Sequence, residues 1–253
     1  MACGAGILVL LAAVQLLPAQ INPGLAMAGQ ASSTSLLLTL VAVGWAACGR
    51  RPVADRLGFR AGRGGIGVAL LLALGLLGLS HALDQLINAF DLRANSALAR
   101  IDAAVAGEPE TSWPWMLLGL GIVPPIGEEI FFRGLIQRGL LPWLGRIGAL
   151  LATSVLFGSF HGDLVHAGGA FFLGLYLGSV AEITGGTRAA IGCHLANNLA
   201  AVVGVTLPPQ QALSPLALAA AGLAVAGLAL WSAWRIVGRR GGRLQPLPGP
   251  ADP

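Results

Sequence analysis

From Met1 to Gly49 no residue carries a side-chain charge. Roughly a quarter of the residues of an ordinary soluble domain are charged, so a stretch of this kind cannot form the surface of one. The rest of the chain continues the pattern: of 253 residues, 55% are hydrophobic and only 10% charged. A membrane-crossing helix needs about 20 mostly apolar residues, and this length holds about eight with short connections. Gln20, Asn22, Pro23 and Gly24, with Ser32, Ser33 and Thr34 beyond them, divide the uncharged stretch into two spans, as a loop would. A signal peptide opens on positive charge, which the first 18 residues lack, so they read as a retained helix. Six further apolar runs occupy 66–83, 113–132, 147–160, 168–183, 189–207 and 216–237. The expected fold is all-α, a single polytopic membrane domain over 1–240 with about eight transmembrane helices. A Pro- and Gly-rich tail, 241–253, has nothing to bury and is expected to be a disordered cytoplasmic extension.

Charge then orients the spans. All 15 basic residues are arginine, and the formal net charge is +4. Arg50, Arg51, Arg56, Arg60 and Arg63 stand against the single Asp55 in one loop; Arg133, Arg138 and Arg146 follow the fourth run, Arg188 the sixth and Arg235, Arg239, Arg240 and Arg243 the eighth. Every second loop is therefore the basic one, which places those loops and both termini in the cytoplasm. The basicity describes topology and a bilayer partner, and no nucleic acid is implied. Short loops with arginine alone point to a prokaryotic plasma membrane. Between them, residues 84–112 hold five acids and two arginines and read as an external, partly helical loop. Cys3, Cys48 and Cys193 are too scattered for a disulfide framework or a thiolate metal site, and read as small packing residues.

The informative residues are the polar ones inside apolar runs. Glu128 and Glu129 lie side by side in the fourth run, with Arg133 four residues on. An ionised side chain at mid-membrane costs about 2.5–3.5 kcal/mol on insertion scales, so two adjacent acids need a reason. Glu129 and Arg133 share a helix face and can neutralise each other, while Glu128 points about 100° away. That leaves Glu128 as the candidate working carboxylate, a general base or acid. Pro124, Pro125 and Gly127 just before it would free backbone groups, which is tolerated at that depth only inside protein or beside a water-filled cavity. The fifth run ends on Phe157-x-x-x-His161, and the seventh carries His194-x-x-x-Asn198, each pair on one helical face. Buried polar groups need partners, and across three helices the available partners are one another, so a shared polar cavity between helices 4, 5 and 7 is expected. Two imidazoles and a carboxylate there could hold a divalent metal that acidifies water, or Glu128 and His161 could activate water directly while His194 and Asn198 donate to an oxyanion. Both routes end in hydrolysis.

Taken in order, Glu128-Glu129-x-x-x-Arg133, Phe157-x-x-x-His161 and His194-x-x-x-Asn198 resemble the three motifs of the CAAX prenyl protease and bacteriocin-processing family of intramembrane endopeptidases, also called the Abi family, over a motif core at 124–198. The resemblance implies a peptide or protein substrate in the membrane, prenylated in some members. It implies Glu128 and His161 for water activation, His194 and Asn198 for the oxyanion or a metal, and Glu129 with Arg133 in support. Glu128, His161 and His194 are the tentative zinc ligands, and a metal-free mechanism stands beside them. The patterns of zinc-helix, serine and aspartate intramembrane proteases are absent from the sequence. The competing class is an ion-coupled membrane transporter or a non-catalytic membrane adaptor, since buried Glu, His and Asn also serve as relays; against it, the two halves show no repeat.

Other features read blandly. Asp163 and His166 are expected to be solvated loop residues, His81 and Asp84 an interfacial cap, Glu182 and Arg188 a pair across a turn, and Gly174-x-x-x-Gly178 a place for close helix packing. One difficulty remains at this level. Counting about 1.5 Å per residue from the nominal cytoplasmic ends puts His194 about 10 Å deep and His161 about 21 Å deep. Misplaced span ends are the expected cause. The stretch 135–150, with Pro142, Gly145 and Gly148, is the place where the chain could dip into the membrane.

Overall fold

The computed structural model describes residues 22–59, 63–206 and 214–237, and among these its only regular elements are helices, with no strand. Seven elements carry the architecture: α1 Pro23–Ala47, α2 Gly65–Ala89, α3 Ala97–Ala106, α4 Glu110–Ser159, α5 Leu164–Thr184, α6 Thr187–Gly204 and α7 Pro215–Val237. Five of them, α1, α2, α4, α5 and α7, are long and apolar enough to cross a membrane. The first expected span and the terminal tail lie outside the described residues. The expected fourth and fifth spans fall within α4, a helical run of 50 residues folded back at Gly145, whose φ of 65° and ψ of −175° break the helix. The expected seventh span is α6, whose 18 residues include His194, Asn197 and Asn198, polar enough to set it apart from the five.

One expectation is corrected outright. Ser32, Ser33 and Thr34 do not form a loop; they sit within α1. Their hydroxyls find carbonyl partners: Ser33 Oγ donates to Gly29 O on its own helix at 2.8 Å and Ser32 Oγ to Gly119 O of α4 at 3.2 Å. A helix can carry serine in its interior when each hydroxyl is bonded in this way.

The predicted alternation of loops corresponds to the two ends of the bundle. At one end the basic loop before α2 meets the α5–α6 turn, with Thr187 N donating to Gly58 O at 3.0 Å and Arg63 N to Thr184 O at 2.9 Å. At the other end α3, from the expected external loop, meets the turn before α5, where Ala97 N donates to Asp163 at 2.8 Å. Within that segment Arg93 bridges Asp84 and Asp102 at 2.9 and 3.0 Å. Glu108 is buried and caps the start of α1, accepting from Leu25 N at 3.1 Å and from Asn22 at 3.3 Å.

The apolar core lies between α2, α5 and α7, around Leu72, Leu76, Leu177 and Val180. α2 and α7 run antiparallel and close together: a Cβ on Gly222 would collide with the carbonyl of Gly78. Cys193 is buried beside this core as a packing residue, whereas Cys48 is exposed. Glu182, expected opposite Arg188, pairs with Arg146 at 2.7 Å and so ties the Gly145 bend to the end of α5.

Candidate functional site

The two limbs of α4 bring the motifs together. Arg133 lies on the descending limb and Phe157 on the returning one, and the guanidinium stacks on the Phe157 ring at 4.6 Å. Glu129 is one turn before Arg133, and His161 one turn after Phe157. Because the limbs run in opposite directions, both steps climb the same way and arrive at the same level. This removes the depth conflict: the helix continues past its expected end near residue 132, with Gly134 packed against the Leu57 carbonyl, before turning at Gly145. Counting from nominal span ends had assigned the two limbs different starting planes. Phe157, 1% exposed, is the hub, with ring centroids 4.9 Å from His161, 5.8 Å from His194 and 5.1 Å from Phe132.

Glu129 and Arg133 form the expected pair at 2.8 Å, both with fully buried side chains. Arg133 Nη2 also donates to Gly174 O at 3.0 Å, and one turn on Gln137 Nε2 donates to Gly178 O at 3.3 Å. The Gly174-x-x-x-Gly178 pair thus exposes backbone carbonyls to two polar side chains at matched spacing. Glu129 Oε1 meets His194 Nδ1 as well, at 2.9 Å. A carboxylate paired to arginine accepts, so Nδ1 carries the proton and the lone pair of a neutral His194 falls on Nε2. That Nε2 faces Glu128 Oε2 at 3.9 Å. The same logic holds for His161, whose Nδ1 lies 2.8 Å from the Phe157 carbonyl, leaving Nε2 free. Glu128 keeps a side-chain exposure of 16%, against zero for Glu129. The two neighbouring acids therefore part as the helix geometry demands, one locked and one open.

Asn198 is engaged with backbone. Its Nδ2 donates to Leu120 O at 3.1 Å. The reason lies in the chain between: residues 117–122 form wide turns in which Val123 N reaches back five residues to Leu118 O. In that register Leu120 O would be taken by the N–H of residue 125, which is Pro125 and has none. One amide hydrogen of Asn198 therefore caps a proline-orphaned carbonyl, and the other remains. Pro124 and Pro125 themselves occupy the first turn of the restarted helix Val123–Glu129, where proline is tolerated.

Asp163, expected as a solvated loop residue, is a double cap. It accepts from Val165 N at 3.0 Å and His166 N at 3.2 Å, opening α5, and from Ala97 N, opening α3. Desolvation acts to raise its carboxyl, but the Ala97, His166 and Val165 N–H groups prevail and hold it below the ordinary carboxylate range. The turn it fixes carries His161, whose ring packs at 4.7 Å against that of His166.

Sequence reasoning missed Ser35, Gln137 and the hub role of Phe157. Only the i,i+4 match between Arg133/Gln137 and Gly174/Gly178 left a readable signal. Zinc on Glu128, His161 and His194 is the metal arrangement the sequence leaves open. Each imidazole has Nδ1 engaged and Nε2 free, as zinc-binding histidines do. Yet among the described residues no three His, Cys, Asp or Glu side chains are gathered to hold a metal ion. A catalytic zinc takes three protein ligands, and the chemistry below is derived from the protein groups alone.

No curated protein and no solved structure matches the chain. A family model does: that described as Rce1-like, type II CAAX prenyl endopeptidase, over residues 110–200. The match begins with α4 and ends just past Asn198, so it takes in both limbs, all three motifs and the hub, and it supports a CAAX-type membrane protease in general terms. Over the segment that builds the site, the chain is similar to the Rce1-like family, in line with the resemblance first carried by its motifs.

Proposed function

We propose that this protein is an intramembrane endopeptidase that hydrolyses a peptide bond of a membrane-associated, prenylated substrate with water activated by Glu128. The observation that carries the reading is the 3.9 Å separation between Glu128 Oε2 and His194 Nε2. Two acceptors at that distance do not bond each other, but one water donating a hydrogen to each satisfies both. Such a water has its lone pairs turned outward, ready to attack a carbonyl carbon. Its proton passes to Glu128 as the C–O bond forms, and from Glu128 to the leaving amine as the C–N bond breaks. The oxyanion takes its hydrogen bond from the amide hydrogen that Asn198 does not give to Leu120. Glu129, Arg133 and Phe157 hold His194 in place; His161 Nε2, on the other imidazole that packs against Phe157, is the second proton acceptor. Polar atoms left without protein partners nearby, Glu129 Oε2 and Asn197 Oδ1, favour a hydrated pocket. The spans and the match favour a site within an integral membrane protein, with the basic loops cytoplasmic.

Purified protein in detergent is to be assayed on peptides with and without a prenylated cysteine, comparing wild type with Glu128→Ala, His161→Ala and His194→Ala. We expect cleavage by wild type and loss in all three, with the deeper loss among the histidines marking the imidazole that works with Glu128. Cleavage that survives Glu128→Ala refutes the assignment, and a wild type that cleaves nothing returns the protein to the transporter or adaptor class. Metal content of the same preparation, and activity after chelation, test the zinc alternative.

A further inference from the structure

The turn that bears Glu128 is held from outside its own helix. Pro124 and Pro125 withhold the two N–H groups that Gly119 O and Leu120 O would accept in the wide-turn register, and Ser32 and Asn198 supply donors in their place. One turn further, Ser35 Oγ lies 3.1 Å from Val123 O and 3.0 Å from Pro124 O, so a single hydroxyl hydrogen is shared between two successive carbonyls. In an α-helix those carbonyls accept from the N–H groups four residues on, those of Gly127 and Glu128. Ser35 is 1% exposed. The approach is backbone to backbone: a Cβ on Gly127 would collide with Ser35 Oγ, Ser35 O and Thr39 Oγ1. Ser35 therefore grips the acceptors of the very turn whose donors belong to the catalytic carboxylate, and it does so from α1, outside the matched segment.

We propose that Ser35 is a positioning residue for Glu128: its hydroxyl fixes the rotation of the Val123–Glu129 turn and so the direction of the Glu128 carboxylate toward His194. This inference rests on the peptidase reading above. Misplacing a reacting group by about 1 Å can cost 10²-fold in rate, while ground-state binding elsewhere is untouched.

The test compares Ser35→Ala and Ser35→Cys with Ser33→Ala, whose hydroxyl bonds only its own helix. Cysteine keeps the volume but is a weak donor, so it carries the test should the alanine variant not fold. Two readouts are taken: kcat and KM on a prenylated peptide, and amide hydrogen exchange of peptides covering 119–130. For the Ser35 variants we expect kcat to fall about 10-fold or more with KM unchanged within about two-fold, and faster exchange confined to 119–130. Ser33→Ala should leave both readouts at wild type. Unchanged exchange, or faster exchange with wild-type kcat, overturns the proposal, as does an equal loss in Ser33→Ala. Faster exchange in a protein whose wild type cleaves no peptide would sink the peptidase reading and leave the grip of Ser35 on this turn standing.

Discussion

Two regions of this molecule are held together by different forces. The α2–α7 pair is regular and apolar, and its helices meet where Gly78 and Gly222 let the backbones touch. The region of α1, α4 and α6 is irregular, with wide turns at Leu117–Ile122 and Ile130–Gln137, and its contacts are hydrogen bonds from side chains to orphaned carbonyls and a buried ion pair. Small residues and dispersion suffice where nothing polar must be presented. Where polar side chains are buried among apolar helices, the helix is opened, and each freed carbonyl then needs a donor from a neighbour. Irregularity and the candidate site therefore coincide in one half of the protein.

The contrast can be broken within the polar half first. Glu128→Ala should lower kcat by about 10²–10⁴-fold with the thermal unfolding midpoint near wild type, because the side chain is open and removes no lock. Glu129→Ala should cost about 3–5 kcal/mol of stability, measured by denaturation in detergent, because Arg133 is left buried without its partner. Equal melting of the two variants would show that the neighbouring acids are not divided between a working and a holding role. In the apolar half, Gly222→Val should cost about 1–3 kcal/mol by overpacking against Gly78, with kcat per folded molecule unchanged. A large kcat effect there would mean that the two halves are mechanically coupled.

The smallest effect is expected at the join. Asp163→Ala removes the cap that ties α3 to the His161 turn and should cost about 1 kcal/mol. Since the folded-state carboxyl is lowered, its stabilisation is fully present above the ordinary value of 3.8 and is lost as pH falls through the depressed one. The gap between wild-type and variant melting should therefore close in acid, and a gap that widens there would overturn the capping role.

Much of the candidate site's geometry was legible before any coordinates. The i,i+4 spacings of Glu129/Arg133, Phe157/His161 and His194/Asn198 each predict one helical face, and polar groups stranded in apolar runs predict their own convergence. What misled was local polarity read as a loop at Ser32–Thr34, and nominal span ends read as depth at His161. Both errors have one source: the partner that makes a serine helical, or a helix overrun its expected end, lies far away in sequence. Ser35 meets carbonyls 88 and 89 residues on, and nothing in its neighbours announces them.

Composition alone determined that this chain is a membrane helical protein, since apolar length and scarce charge leave no other way to satisfy backbone and side chains. Spacing alone determined which acid could be neutralised by its own helix. Only the tertiary structure decided that Glu129 also orients His194, that Asn198 and Ser35 replace donors the prolines withhold, and that the fold at Gly145 brings His161 level with Glu129. These depend on which helices face each other, and that is set by packing between distant segments, for which periodicity along one strand of sequence carries no signal.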